Sequence, residues 1–224
     1  MRHLLSLPIH LASAAVVAAA FSSCASVSVR DIARDEATKP GKPSQIYVAP
    51  FEIDPSGVKE NPARKAPGQL ANEARQLVAQ YLVKELTRLG TPASIATGKV
   101  APKANTWVVS GRITRLAEGS RILRMSFGLG TGGTKMETQV VVHSGAKAPL
   151  LRFTTSGGSN AMPGGLTNPV PFSGVPTAIL NSKEGVTDDS ARTARMIAGI
   201  IGRYMADRGW IPAEKVPVVK MARQ

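Results

Sequence analysis

Residues 106–144, TWVVSGRITRLAEGSRILRMSFGLGTGGTKMETQVVVHS, decide how this chain folds. Gly128, Gly130 and Gly133 spell G-x-G-x-x-G, the spacing of a loop that cradles phosphates. Such a loop works between a strand and a helix, whose N-terminus meets the pyrophosphate. Here Thr134 and the run Val140, Val141, Val142 follow, which favour extended backbone, and no amphipathic helical pattern begins. A P-loop fails as well, because Thr134 stands where lysine must be and Lys135 comes one place late. The glycines therefore predict a hairpin connection. The strands around it are TWVVSGRITRLA (106–117), GSRILRMSF (119–127) and TKMETQVVVHS (134–144), followed by PLLRFTTS (149–156). Strands at this close spacing, with turn-like residues at 118–120 and 144–147, predict an antiparallel meander rather than βαβ units.

Upstream, QIYVAPFEI (45–53) is a β-branched and aromatic run bounded by prolines and predicts a first strand. Residues 54–68 read as a loop. Leu70, Ala74, Leu77, Val78, Tyr81, Leu82, Leu86 and Leu89 then recur at three- and four-residue steps, with Pro67 before them and Gly90 at the position of a C-terminal cap. ASIAT (93–97) is read as a short strand. Downstream, 157–185 is a glycine- and proline-rich loop. A second helix is expected from a cap at Thr187 or Asp188 to about Arg208. Ala194, Ile197, Ala198, Ile201, Tyr204 and Met205 form its apolar face, and Gly209 ends it. A short strand is expected at Val216–Met221. The sum is one α+β domain over 45–224, a mostly antiparallel sheet of four to six strands with two amphipathic helices on one face.

The N-terminus points to a compartment. Residues 1–23 open with Arg2 and His3, continue apolar without an acid and end in small residues, the pattern of a secretory signal peptide. Pro8 and His10 make the run a poor membrane span. Phe21-Ser22-Ser23-Cys24 resembles the lipobox of bacterial lipoproteins, whose cysteine becomes acylated and N-terminal, although Phe21 replaces the usual leucine. Ordinary cleavage after Ala25, which would discard the cysteine, is the alternative. Cys24 is the only cysteine of 224 residues and is taken as the lipidation site. Ala25 is not the aspartate that retains such proteins at the inner membrane, so the expected location is the outer membrane, facing the periplasm. Residues 24–44, polar and ending in Lys-Pro-Gly-Lys-Pro-Ser, read as the lipidated N-terminus and a flexible tether.

Charge and composition narrow the chemistry. The net charge is +13 and falls by one, to +12, when Arg2 is lost with the signal. Outside the cytoplasm such a surface meets anionic lipid head groups, phosphates or cell-wall carboxylates. Nucleic acid is not expected, because of the export signal and because aromatic residues are only 4% of the chain, leaving few platforms for stacked bases. After signal removal His143 and Cys24 are the only imidazole and thiol, so no His/Cys metal site forms within one chain, and no cofactor is expected. Ser56-Gly57-Val58-Lys59 matches S-x-x-K without its companion motifs. His143 lies near the end of a strand, with no G-x-S-x-G elbow, and reads as an exposed histidine rather than a base. Asp188 and Asp189 read as helix-start residues, and no catalytic residue is assigned.

Arg112 and Arg115 on one strand, and Arg121 and Arg124 on the next, suggest a positive patch. The odd offset within each pair would send its two side chains to opposite faces. The tip after them, with Phe127, Gly128, Leu129 and Gly130, is a candidate contact with a membrane or a partner subunit.

Taken together, Gly111, the Gly119-Ser120-Arg121 turn, Arg124, Phe127-Gly128-x-Gly130 and the closing helix up to Gly209-Trp210 resemble a bacterial family of uncharacterised lipoproteins, classed as a domain of unknown function. The resemblance covers roughly residues 45–211. More distantly, the order of elements is similar to the α+β domains of curli-secretion and penicillin-binding-protein-activator lipoproteins. It implies an envelope scaffold or assembly protein rather than an enzyme, though fold alone does not fix function. The expected function is non-enzymatic: a protein anchored in the membrane through acylated Cys24, binding another envelope protein or an anionic polymer. A subunit of a homo-oligomeric secretion or assembly complex is the alternative, and an envelope hydrolase using serine and His143 a third.

Overall fold

The computed structural model describes residues 27–37, 39–59, 68–101, 103, 105–117, 135–145, 148–158 and 184–222. The strand expected at 119–127, and most of the loop 157–185, lie outside the described residues.

The architecture grows from one long strand. Thr106–Ala117 (β6) alternates: Trp107, Val109, Ile113 and Leu116 are buried, while Val108, Ser110, Arg112 and Arg115 are not. That period of two puts one face into a core and leaves the other in water. Lys135–His143 (β7) and Leu151–Gly158 (β8) follow as an antiparallel meander, but β7 pairs directly with β6, whereas the sequence reading set the strand 119–127 between them. On the other flank of β6 three short segments run parallel to it, one after another along its length. These are Gln45–Val48 (β2), Glu52–Ile53 (β3) and Val58–Lys59 (β4). Ala93–Ile95 (β5) pairs parallel with β2 at the sheet edge. With an N-terminal strand, Ser28–Arg34 (β1), the eight segments fill six positions in the order β1-β8-β7-β6-β2-β5, with β3 and β4 continuing beside β6. The sheet is mostly antiparallel and the fold is α+β.

Three local expectations change. The parallel pairing of β2 with β5, on either side of the helix Gln69–Arg88 (α1), was not foreseen, because strands of four and three residues are too short to show a period. The segment 24–44, read as a tether, contains an edge strand: Ser28–Arg34 (β1) pairs antiparallel with β8. Val27 and Val29 enter the core there, and a bulge between Arg30 and Ala33, with Asp31 at φ 56°, lets the polar sequence continue along the edge. The strand expected at Val216–Met221 shrinks to a single bridge, Val29 opposite Met221. Val216, Pro217 and Val219 pack instead against Gly199 and Gly202, where a side chain would collide with them, and this holds the segment on the helix layer.

Both helices cover the same face. Gln69–Arg88 (α1) buries Leu70, Ala74, Val78, Ala79, Leu82 and Leu86, and Gly90 ends it at φ 89°. Glu184–Ala206 (α2) begins before the expected cap, so Asp188 and Asp189 stand within it, where Arg192 meets them at 3.7 and 3.3 Å. Ala194, Ile197, Ala198, Ile201, Tyr204 and Met205 form its buried stripe, and Gly209 at φ 69° follows. The helices share one hydrophobic cluster with Ile46, Val48, Trp107, Val109, Met136, Val140, Val142 and Phe153 of the sheet. Trp107 sits at its centre, edge-on to Tyr204 and Trp210 with ring centroids 5.8 and 6.0 Å away.

The helix-free face of the sheet

With both helices on one side, every second residue of the strands looks away from the core. Strand register arranges them in rows across the sheet. Tyr47, Val108 and His143 form one row, and Ser110, Val141 and Arg152 the next. Arg112, Gln139 and Thr154 come third, then Arg115, Glu137 and Ser156, and finally Lys59, Ala117, Lys135 and Gly158.

Arg112 and Arg115 share this face, contrary to the alternation argument. The register shifts between Ile113 and Arg115, so a bulge at Thr114 turns Arg115 back to the side of Arg112. The bulge is braced by Gly57. A Cβ there would lie 1.8 Å from the Thr114 carbonyl oxygen, so no other residue lets the turn Pro55–Gly57 rest against β6.

The acids on this face are already engaged. Arg112 donates Nε and Nη2 to Glu52 Oε2 at 3.1 and 2.8 Å, and that carboxylate raises the Arg112 pKa. Hydrogen bonds from Ser56 hold the Asp54 carboxyl below its usual range. Arg30 on β1 reaches Glu137 at 3.0 Å. Exposed ion pairs of this kind contribute little to stability, because water screens them, and chiefly fix side-chain positions. Lys59, Arg115, Lys135 and Arg152 are exposed and have no carboxylate partner among the described residues. His143 is half-buried rather than exposed. Burial first, and the Arg152 charge second, push its pKa below the ordinary value.

The helix layer differs. A cleft of about 600 Å³ there is lined by Arg88, Arg195, Met196, Lys215 and Pro217. Its arginines converge on Glu85, Arg88 at 2.7 Å and Arg195 at 3.9 Å.

Cys24, Arg121, Arg124, Phe127, Gly128, Leu129 and Gly130 lie outside the described residues. What the structure brings together is the flank of that segment, Arg115 and Ala117 before it and Lys135 after it. Sequence reasoning missed Lys59, Lys135 and Arg152. The alternation Lys135, Glu137, Gln139, Val141 already places Lys135 on the polar side, but the pairing of β4 with β6 that brings Lys59 beside it has no local signal. Among the described residues, no helix is long and apolar enough to cross a membrane.

The fold and this face define an α+β domain with a helix-backed sheet and one uncovered, cation-bearing surface. The chain belongs to the family described as a domain of unknown function (DUF4410), which matches residues 46–200. No curated protein matches it. It is similar to a PelC dodecamer from Paraburkholderia phytofirmans, with 9% identity, a TM-score of 0.36, and 75% of this chain and 97% of that chain covered. A point variant of that PelC gives 10% identity and a TM-score of 0.35 over the same shares.

Proposed function

We propose that this protein is an outer-membrane lipoprotein, acylated at Cys24 and facing the periplasm, whose domain binds another envelope component without catalysing a reaction. The observation that carries this reading is the helix-free face. Arg115 and Arg152, without a carboxylate partner among the described residues, stand on the same face as half-buried Tyr47, Val108 and Val141, while Glu52 and Glu137 are held in ion pairs. Such a face suits an anionic polymer or the acidic surface of a protein, and the positive net charge, +13 for the full chain and one less without Arg2, draws either toward it. A hydrolase reading finds less support. A general base works best with a pKa near the working pH, and burial first, then the Arg152 charge, weaken His143 as a base.

Two measurements test the reading. The intact mass of protein from the membrane fraction, beside Cys24→Ala, should equal the 24–224 chain plus diacylglycerol and acyl groups. An unmodified mass would remove the anchor. Binding of the purified protein to poly-glutamate or polyphosphate should weaken with salt and fall at least tenfold in an Arg115→Glu, Arg152→Glu double variant. Unchanged binding would move the contact off this face. A size in solution that grows with concentration would turn the reading toward a homo-oligomeric assembly subunit.

A further inference from the structure

The sheet has two ends, and the N-terminus leaves from one of them. β1 begins at Ser28, opposite Ser156. Val27 is 5% exposed and packs on Gly157, where a Cβ would come within 2.4 Å of Val27 Cγ2. One step further out on the same end lies the row Gly158, Lys135, Ala117, Lys59, the last of the sheet among the described residues. At the other end of β6, Thr106 pairs with Gln45 and bridges to exposed Lys103.

This geometry limits where the domain sits. Only Ala25, Ser26 and Val27 separate Cys24 from β1, instead of the twenty-residue tether the sequence suggests. Four extended residue steps span at most about 14 Å. We infer that, given the acylation at Cys24 proposed above, the Lys59–Lys135 end of the sheet rests on the membrane. Its ammonium groups stand against the phosphates of anionic lipid head groups, and the strands stand upright on the leaflet.

Three observations favour a lipid surface over a free polymer at this end. The anchor presents that surface within about 14 Å, whatever else is in solution. Lys59 and Lys135 flank Ala117 in one row, about 10 Å apart at the usual strand spacing, and no described residue encloses them, so the end fits a plane of phosphates rather than a single ion. The potential of an anionic leaflet falls off within a Debye length, about 8 Å at physiological salt. The twelve residues of β6 place Lys103 roughly 35 Å further out, beyond that reach. The charges in the segments that leave this end do not oppose the assignment: 60–67 and 118–134 carry Glu60 and Glu118 against Arg64, Lys65, Arg121 and Arg124.

The experiment uses the mature acylated protein in vesicles of phosphatidylcholine, with or without phosphatidylglycerol, and a membrane-impermeant amine reagent read by mass spectrometry. Lys59 and Lys135 should label at least fivefold more slowly in the phosphatidylglycerol vesicles, with Lys103 unchanged and the protection lost in high salt. Equal labelling of all three lysines in both vesicles would overturn the orientation. So would protection that appears only when polyphosphate is added. The intact mass of the same sample separates the two failures. An unmodified Cys24 removes the anchor and the orientation with it, whereas an acylated Cys24 with equal labelling removes the orientation alone. As a second readout, a Cys24→Ser protein should bind phosphatidylglycerol vesicles, and Lys59→Glu with Lys135→Glu should cut that binding by on the order of 25-fold, about fivefold for each basic residue. No loss would again overturn it.

Discussion

β6 divides the sheet into halves built by different means. On one side β7 pairs with it antiparallel over nine residues, with one bulge at Thr114, and β8 pairs with β7 over eight. On the other, β2, β3 and β4 touch it in pieces of four, two and two residues, and β5 joins only β2. The helices reverse the contrast. α1, which covers the fragmented half, meets it with an apolar stripe of Leu70, Ala74, Val78, Leu82 and Leu86. α2, which packs on β7 and β8, brings buried Ser190 and Thr193, and the inward face of those strands carries Thr138 and Thr155. The hydroxyls of all four are buried without a hydrogen-bond partner among the described residues. The parallel half therefore leans on hydrophobic burial and the antiparallel half on its ladder, which lets a costlier polar seam persist above it.

If the halves are joined as one cooperative unit, the joint is Trp107. It is fully buried on β6, beside Tyr204 near the end of α2 and Trp210 just beyond it. Trp107→Ala should destabilise the protein by about 4 kcal/mol, as large aromatic truncations do. Hydrogen exchange should then speed up in β2 and β7 alike. Loss of protection on one side only would mean that the halves unfold separately.

Gly57→Ala tests the fragmented half by itself. The new Cβ would meet the Thr114 carbonyl, which is backbone and cannot swing away. The expected cost is about 3 kcal/mol, the upper part of the range for overpacking. Amides of β3, β4 and the start of α1 should lose protection before those of β7 and β8. Uniform loss would show that the bulge at Thr114 supports the whole sheet.

The same contrast explains what the sequence disclosed. β6, β7 and α1 could be placed almost to the residue, because twelve, nine and twenty residues are long enough for periods of 2 and 3.6 to emerge. The parallel pairing of β2 with β5 and β6 is a long-range fact without a local pattern, and β1 was hidden because its bulge breaks alternation at Asp31. The site divides in the same way. Arg112 and Arg115 drew notice as a charged pair, but their sharing of a face depends on the bulge, and Lys59 joins Lys135 only through β4.

Thr155→Val sharpens the account of the polar seam. It keeps the shape of the side chain and removes a buried hydroxyl that has no partner. Satisfying or deleting such a group should be worth about 1 kcal/mol, so the variant should be more stable, with its denaturant midpoint raised. A lowered midpoint would mean that the hydroxyl finds water in solution and that the seam is hydrated.

The smallest effect belongs to His143, at the open end of the antiparallel half. Its folded pKa is depressed, first by burial and then by Arg152, so the unfolded chain binds the proton more readily. Stability should therefore be intact above the unfolded value of about 6.5 and decline as pH falls through the window down to the folded pKa, with no further loss from this group below it. The half-exposed ring keeps the change small, and it is best seen by difference. His143→Gln should flatten the fall in denaturant midpoint between pH 7.5 and pH 5 relative to the parent. Arg152→Gln should flatten it only in part, because burial is the larger cause. If Arg152→Gln flattened it as fully as His143→Gln does, the charge would outweigh burial, and His143 would be more solvated than its place at the end of β7 implies.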